Sequence, residues 1–345
     1  MTALKLLLIG AGRRVVEDVL PVVDSLNDSV QLLGIAARST RSQELAGRAR
    51  HVTALDEVLS SGLHHEADVV YVVVAKGAVP GVLGRLASSG PPRFALLLET
   101  PGLLLKHLGY LRRTALFPTV EVAEDCAALP WVDLVRRAAS DGPLGPLHDV
   151  LLDRSAWRYH GVALLKALLD APLRSGRRRP RPDGGARVEL RFVGGARGVL
   201  IEPRDYASGH VVISGRDGVA SDAPERVPGA LPLQLDRGAD GQLCLRLGDL
   251  IEPLQPQELA LLGPAAPGQR VTQHMHGLKR VGLRRLLAAR AGGTPCYSLA
   301  EGLDDMAVDA VLEKLGFWWS TPLSSMRSPL ARGLASLALR PLARG

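Results

Sequence analysis

The sequence predicts an α/β chain with an N-terminal Rossmann-type, doubly wound parallel sheet and a C-terminal α+β domain built on an open, mostly antiparallel sheet. Three observations carry that expectation. Leu6-Leu7-Leu8-Ile9 runs straight into Gly10-Ala11-Gly12, apolar runs then recur at βα spacing, and near residue 120 the pattern gives way to two helical stretches followed by alternating segments punctuated by glycine turns. The boundary is placed at 120, with residues 1–120 expected to bind a dinucleotide and residues 121–345 to hold substrate and a dimer contact. At 345 residues and 46% hydrophobic, the chain has enough apolar material for two cores.

The first strand, Leu6 to Ile9, is followed by a stretch with helical spacing from Val16 to Leu26. Between them, Gly10 and Gly12 allow backbone N–H groups to approach a pyrophosphate at the positive end of the helix, with Arg13 at the same turn. The third small position of G-x-G-x-x-G is Val15, whose branched side chain is expected to push the helix off the strand or change the approach to the phosphates. Leu32 to Ala37 reads as the second strand and ends in Arg38-Ser39-Thr40-Arg41. An acidic residue there would bind the ribose hydroxyl of NAD. Two guanidiniums and two hydroxyls suit the 2′-phosphate of NADP, so NADP(H) is expected ahead of NAD(H). Asp68 to Val74 is a continuous apolar strand, Val79 to Ser88 a crossover helix, and Phe94 to Glu99 a fourth strand.

Beyond residue 120 the reading gives helices over Leu129 to Ser140 and Gly161 to Leu169. Strands are expected at Val188–Phe192, Gly198–Glu202, His210–Ser214, Leu231–Leu235 and Leu243–Leu247. Pro253 to Pro267 reads as a connector. Helices over Leu278 to Ala291 and Ser298 to Leu315 follow, the second opened by a Ser298/Glu301 capping box. The tail from Ser328 is expected to pack on a partner or the other domain, or to be loose. Arg174 to Gly185, arginine-rich but broken by Pro and Gly and without aromatics, reads as an exposed loop. The net charge of +7 is otherwise scattered, so no nucleic-acid partner is expected. Cys126, Cys244 and Cys296 lack metal-ligand spacing and read as reduced thiols. His274 and His276 would share a face if they lay on a strand, but no third ligand is near, so no metal is expected. With no apolar stretch long enough for a bilayer and no signal peptide, a cytoplasmic protein is expected.

The order of parts resembles the Gfo/Idh/MocA family, oxidoreductases related to glucose-fructose oxidoreductase and inositol dehydrogenase. Glu99-Thr100-Pro101 stands where such proteins carry Glu-Lys-Pro, and Asp153 to Gly161 is similar to the segment that carries the family's histidine. The resemblance implies a nicotinamide cofactor contacted near Glu99 and Pro101, a small-molecule substrate, and a homodimer or higher oligomer formed through the C-terminal sheet. It places Thr100 where the family has its catalytic lysine and His160 where it has its histidine. Ala156 and Ala163 occupy the positions of the family's flanking aspartates. Threonine cannot lend an ammonium to a developing alkoxide, which points away from sugar-alcohol oxidation and toward reduction of an imine or unsaturated carbonyl.

Candidate catalytic residues are therefore His160 and Tyr159 as proton donors. Lys76, one of only six lysines, follows the third strand at the carboxyl edge, where it could replace the missing lysine in space. Arg154, Trp157 and Thr100 are candidate substrate contacts, with Arg158 in the same dense cluster, and Asp205, Tyr206 and His210 form a further loop that could face substrate. Lys166 is expected on a different side of its helix from His160. The competing reading is a non-redox relative, a cofactor-holding lyase or cyclase, or a silent binding subunit.

Overall fold

A computed structural model describes residues 3–319 apart from Ala46. The chain divides into two compact units. The first runs to Glu124 and also takes in Leu283–Met306, while the second is Asp125–Gly282 with, among the described residues, 307–319. Two helices near the C-terminus thus run from one unit into the other.

The first unit is an eight-stranded sheet. Its strands are β1 (Leu4–Ile9), β2 (Val30–Ala37), β3 (Arg41–Leu45), β4 (Arg48–Ala54), β5 (Val69–Val72), β6 (Ala95–Glu99), β7 (Val120–Ala123) and a short strand, Tyr297–Ser298. Spatial order is Tyr297–Ser298, β7, β6, β5, β1, β2, β4, β3, and the pairs from β7 to β4 are all parallel. β5 is buried along its whole length, as a parallel strand covered on both faces must be. The core beneath one face gathers Leu7, Val70, Leu83, Phe94 and Leu96, with Leu299 and Leu303 packed against it. The helix after β1 differs from expectation. It opens as a π-helical turn at Val15–Val19 and only then becomes α1, Leu20–Asp24. Val15 is fully buried and lies beside Gly10, so the wider turn accommodates the branched side chain that a third glycine would have avoided.

The second unit is a ten-stranded sheet of β8 (Leu147–Asp153), β9 (Leu173–Pro180), β10 (Ala186–Phe192), β11 (Arg197–Glu202), β12 (His210–Gly215), β13 (Val219–Ser221), β14 (Leu231–Arg237), β15 (Leu243–Leu247), β16 (Leu250–Pro253) and the edge strand Phe317–Trp319. Only β8 with β11 and β13 with β14 pair in parallel; the other neighbours are antiparallel. The arginine-rich segment is a strand up to Pro180, and only residues 181–185 form the expected loop. β9 pairs with β10 so that Arg177 stands opposite Glu189, and Arg178 donates to Glu202 of β11 at 3.1 Å. Carboxylates from neighbouring strands neutralise what looks in sequence like an isolated basic run.

The helices of the first unit include α2 (Leu55–Ser60), α3 (Val79–Ser88) and α4 (Leu111–Thr114). Those of the second are α5 (Pro130–Ser140), α6 (Arg158–Leu169) and α7 (Pro256–Leu262), and α8 (Met275–Ala291) and α9 (Leu299–Leu315) cross between units. The stretch read as a connector contains α7, closed at its start by a Gln255/Glu258 capping box. The capping box at Ser298/Glu301 is formed as the spacing predicts. His274 ends a 3-10 turn and His276 lies in the first turn of α8, so the strand geometry that would have put them on one face does not exist. The predicted region from Ser328 lies outside the described residues. No helix among those described is long and apolar enough to cross a membrane.

Candidate functional site

Parallel strands deliver their loops to one edge, and in the first unit that edge carries a groove of about 790 Å³. Gly10 and Gly12 line its floor after β1, Arg38, Ser39 and Arg41 one end after β2, and Val73 to Ala75 the opposite wall after β5. Gly10 has φ +136°, and a Cβ there would overlap the Val73 carbonyl oxygen, so only glycine permits this crossing of β1 and β5 loops. Gly12 is exposed and nothing would meet a Cβ on it, which leaves its backbone open to a ligand. Arg38 and Ser39 are exposed, and the Arg41 guanidinium donates to the Ser39 hydroxyl at 3.3 Å. Arg13 turns away: it is 86% exposed, pairs with Glu17 at 2.8 Å and does not line the groove. The glycine floor, the cationic end and the size of the cavity fit a dinucleotide phosphate chain.

The same edge organises Glu99, the last residue of β6. The Tyr71 hydroxyl donates to its Oε2, and Arg14 approaches Oε1 at 3.3 Å. Lys76, in the turn after β5, donates from Nζ to the Glu99 main-chain oxygen at 2.7 Å. That oxygen belongs to the peptide preceding Thr100, which is itself buried. The Lys76 ammonium therefore sits at the backbone of the very position where the resemblance places a lysine, having arrived from the neighbouring strand. Burial lowers its pKa to about 8, with the Glu99 charge pulling the other way and Arg14 adding to the fall. A solvated loop lysine would show neither the hydrogen bond nor the shift. Tyr71 and Arg14 were not singled out by sequence reasoning. The only signal is Tyr71's place in an otherwise aliphatic strand next to β6.

In the second unit, α6 presents Tyr159 and His160, whose rings meet edge to face at 5.6 Å. Tyr159 is buried, while His160 is half-buried. Four further groups close on His160. Glu124, Asp125 and Cys126 follow β7, and a carboxylate oxygen of each acid, the Cys126 sulfur and a His160 nitrogen lie within 4.8 Å of one another. Lys279 of α8 reaches both His160 Nε2 and Asp125 Oδ1 at 3.3 Å. Asp125 and Lys279 were missed in the sequence because they are separated from His160 by tens of residues on either side.

The remaining candidates are placed as follows. Trp157, at the start of α6, is 54% exposed, and Arg204 stacks over it at 4.6 Å and over Tyr206 at 4.7 Å. Arg154 has φ 51° and is engaged by Asp153 and Asp183 at 3.8 and 3.6 Å. Arg158 is structural. Its guanidinium meets Asp309 at 2.8 Å, Glu313 at 2.5 Å and Glu202 at 3.2 Å. Asp205 accepts from Ser208 and the Ala207 N–H, forming a turn, and His210 faces Asp153 at 3.5 Å. His274 bonds Gln269 and His276 packs on Tyr206. The three cysteines are free thiols, and burial pushes those of Cys244 and Cys296 up, so neither is a ready nucleophile.

No protein-family model and no curated protein matches the chain. Solved structures do. An oxidoreductase from Thermotoga maritima aligns with a TM-score of 0.61 at 14% identity, covering 92% of this chain and 98% of that one. An oxidoreductase from Agrobacterium radiobacter, in complex with NAD+, L-tartaric acid and magnesium, aligns at TM-score 0.60 and 14% identity over 92% and 98% of the two chains. An inositol dehydrogenase homologue from Azotobacter vinelandii, complexed with NADH and myo-inositol, aligns at 0.55 and 13% over the same shares. At these identities the likeness shows the fold alone, one unit on a parallel Rossmann-type sheet and one on a mostly antiparallel sheet.

Proposed function

We propose that the chain is an NAD(P)-dependent oxidoreductase of the Gfo/Idh/MocA type that acts on a small molecule and prefers NADP(H). The observation that carries the reading is the combination, on one sheet edge, of a glycine-floored groove with Lys76 held at the peptide before Thr100. NAD+ and NADH in the Agrobacterium and Azotobacter structures support a nicotinamide dinucleotide in this fold. Preference for the phosphorylated form rests on Arg38, Ser39 and Arg41 and on the absence of any carboxylate among the described residues that line the groove. A bound nicotinamide supplies hydride chemistry. The residues of this chain supply the rest. Glu99 is fixed by Tyr71 and Arg14, and its backbone oxygen holds Lys76. A lysine with a pKa near 8 keeps its proton at neutral pH yet can release it, and its charge stabilises negative charge growing on a substrate oxygen or nitrogen. His160, with Tyr159 against it, serves as the proton donor, and Trp157, Thr100 and Arg154 are the proposed substrate contacts. Reduction of an imine or unsaturated carbonyl suits this set, which lacks a lysine at Thr100 itself.

Titration of the protein with NADPH and NADH, followed by nucleotide fluorescence, tests the reading. NADPH should bind at least tenfold more tightly, and Arg38→Ala should remove most of that difference by deleting a charge-assisted contact of about 1.5–3 kcal/mol. Equal affinities would overturn the NADP preference, and no binding of either nucleotide would overturn the oxidoreductase assignment.

A further inference from the structure

The contact between Lys279 and His160 is unusual for a lysine. The Lys279 side chain is 13% exposed and the Asp125 side chain 1%, so both charges have left water, and they meet at 3.3 Å. Such a pair is costly unless further hydrogen bonds offset the desolvation, and here the ammonium also lies 3.3 Å from His160 Nε2. An ammonium has donors and no acceptor, so a neutral imidazole facing it must offer its Nε2 lone pair and carry its own proton on Nδ1. The backbone is shaped for this approach. Gly282 lies one turn after Lys279 on α8, and a Cβ there would press on the Asp125 carbonyl oxygen at 2.5 Å. The glycine brings α8 close enough for Lys279 to reach both partners. Asp125 sits in a short 3-10 turn that packs on α6, the helix of His160.

We propose that Lys279 is the positioning and proton-resupply residue for His160, a relay of Asp125, Lys279 and His160 assembled from three elements of the second unit. The inference rests on the oxidoreductase reading and deepens it. Reduction of a C=N or conjugated C=O group places a hydride from the reduced nicotinamide on carbon and needs one proton for the partner atom. His160 gives up the proton on Nδ1, Nε2 takes one from Lys279, and Lys279 regains its own from solvent. Oxidation runs the same transfers backward. Asp125 keeps Lys279 charged between turnovers. Ionisable groups around the relay include Glu124 and Cys126, on either side of Asp125 in the chain, Tyr159 against the His160 ring, and Tyr206, whose hydroxyl burial pushes up while Lys279 pulls it down.

The test is an imidazole ¹⁵N NMR titration of the full chain, with the His160 signals assigned by their loss in His160→Gln. Neutral His160 should show the Nδ1–H tautomer in the unsubstituted protein and in Lys279→Arg, which keeps the donor and the charge. Lys279→Met should switch it to Nε2–H, because the donor that requires a lone pair on Nε2 is then gone. A purely structural lysine would leave the tautomer unchanged, so an Nε2–H tautomer in the unsubstituted protein, or an Nδ1–H tautomer retained in Lys279→Met, would overturn the relay. NADPH and NADH titrations of the same samples separate the two ideas. Failure of both nucleotides to bind, with the tautomer switch intact, would remove the hydride reaction and the relay's role with it, whereas binding without the switch removes the relay alone.

Discussion

Gly10 shows how much one residue decides. Its φ of +136° and its contact with the Val73 carbonyl leave no room for a side chain, so Gly10→Ala should destabilise the chain by roughly 2–3 kcal/mol and abolish NADPH binding. Thermal melts and nucleotide fluorescence would check both outcomes, and Gly12→Ala, with nothing near its Cβ, should melt like the unsubstituted chain. Lys76 makes a second, pH-dependent prediction. Burial lowers its folded pKa to about 8, below the ordinary lysine value of 10.5, so the unfolded chain binds the extra proton between those values. Stability contributed by this site is therefore poorest below pH 8 and improves as pH rises toward 10.5. Lys76→Met should raise the urea midpoint at pH 7, by the equivalent of roughly 1–3 kcal/mol, and lose that advantage above pH 10. An unchanged difference between pH 7 and pH 10 would show that burial does not govern this lysine. Sequence could nominate Lys76, Glu99 and His160 because each sits at a strand end or helix start. It could not show that Tyr71 and Arg14 clamp Glu99, because those contacts depend on which strands are neighbours.

At the scale of elements, periodicity made β1, β2, β5 and β6 legible, since buried parallel strands are uninterrupted apolar runs flanked by glycine or charge. What stayed hidden was held by partners distant in sequence. Half of β9 is arginine, and as a strand it meets Glu189 and Glu202 of β10 and β11. The hairpin of β3 and β4 and the short β7 lack apolar runs long enough to announce themselves. The helix α7 was masked by prolines on either side, although Pro256 at its first turn, where a backbone N–H is not needed, favours the helix. Its start is fixed by reciprocal bonds between Gln255 and Glu258, and Glu258 is buried. Glu258→Ala should cost about 1 kcal/mol in denaturant melts, and Gln255→Ala a similar amount. Equal midpoints for all three proteins would mean that packing of Leu261 and Leu262, and not the cap, sets this helix.

Across the whole molecule, the distribution of tryptophan gives an independent probe of how the two units are coupled. Trp131, Trp157, Trp318 and Trp319 are the only tryptophans in the chain, and all lie in segments of the second unit, whereas every residue of the glycine-floored groove belongs to the first. α8 and α9 run without interruption from one unit into the other, so either unit can unfold alone only by breaking two helices in mid-length. Helix formation is cooperative, and terminating a helix internally strips carbonyl and N–H partners from a full turn on each side of the break. Unfolding should then be a single transition. A ligand bound only by the native first unit stabilises by mass action, about 2.7 kcal/mol at a free concentration one hundred times its dissociation constant. NADPH at that excess should accordingly shift the urea midpoint seen by tryptophan fluorescence, although no tryptophan belongs to the unit it binds, and far-ultraviolet circular dichroism should give the same midpoint. A fluorescence curve indifferent to NADPH, beside a circular dichroism curve that moves, would instead show two units that unfold separately, with α8 and α9 giving way at Gly282 and Met306.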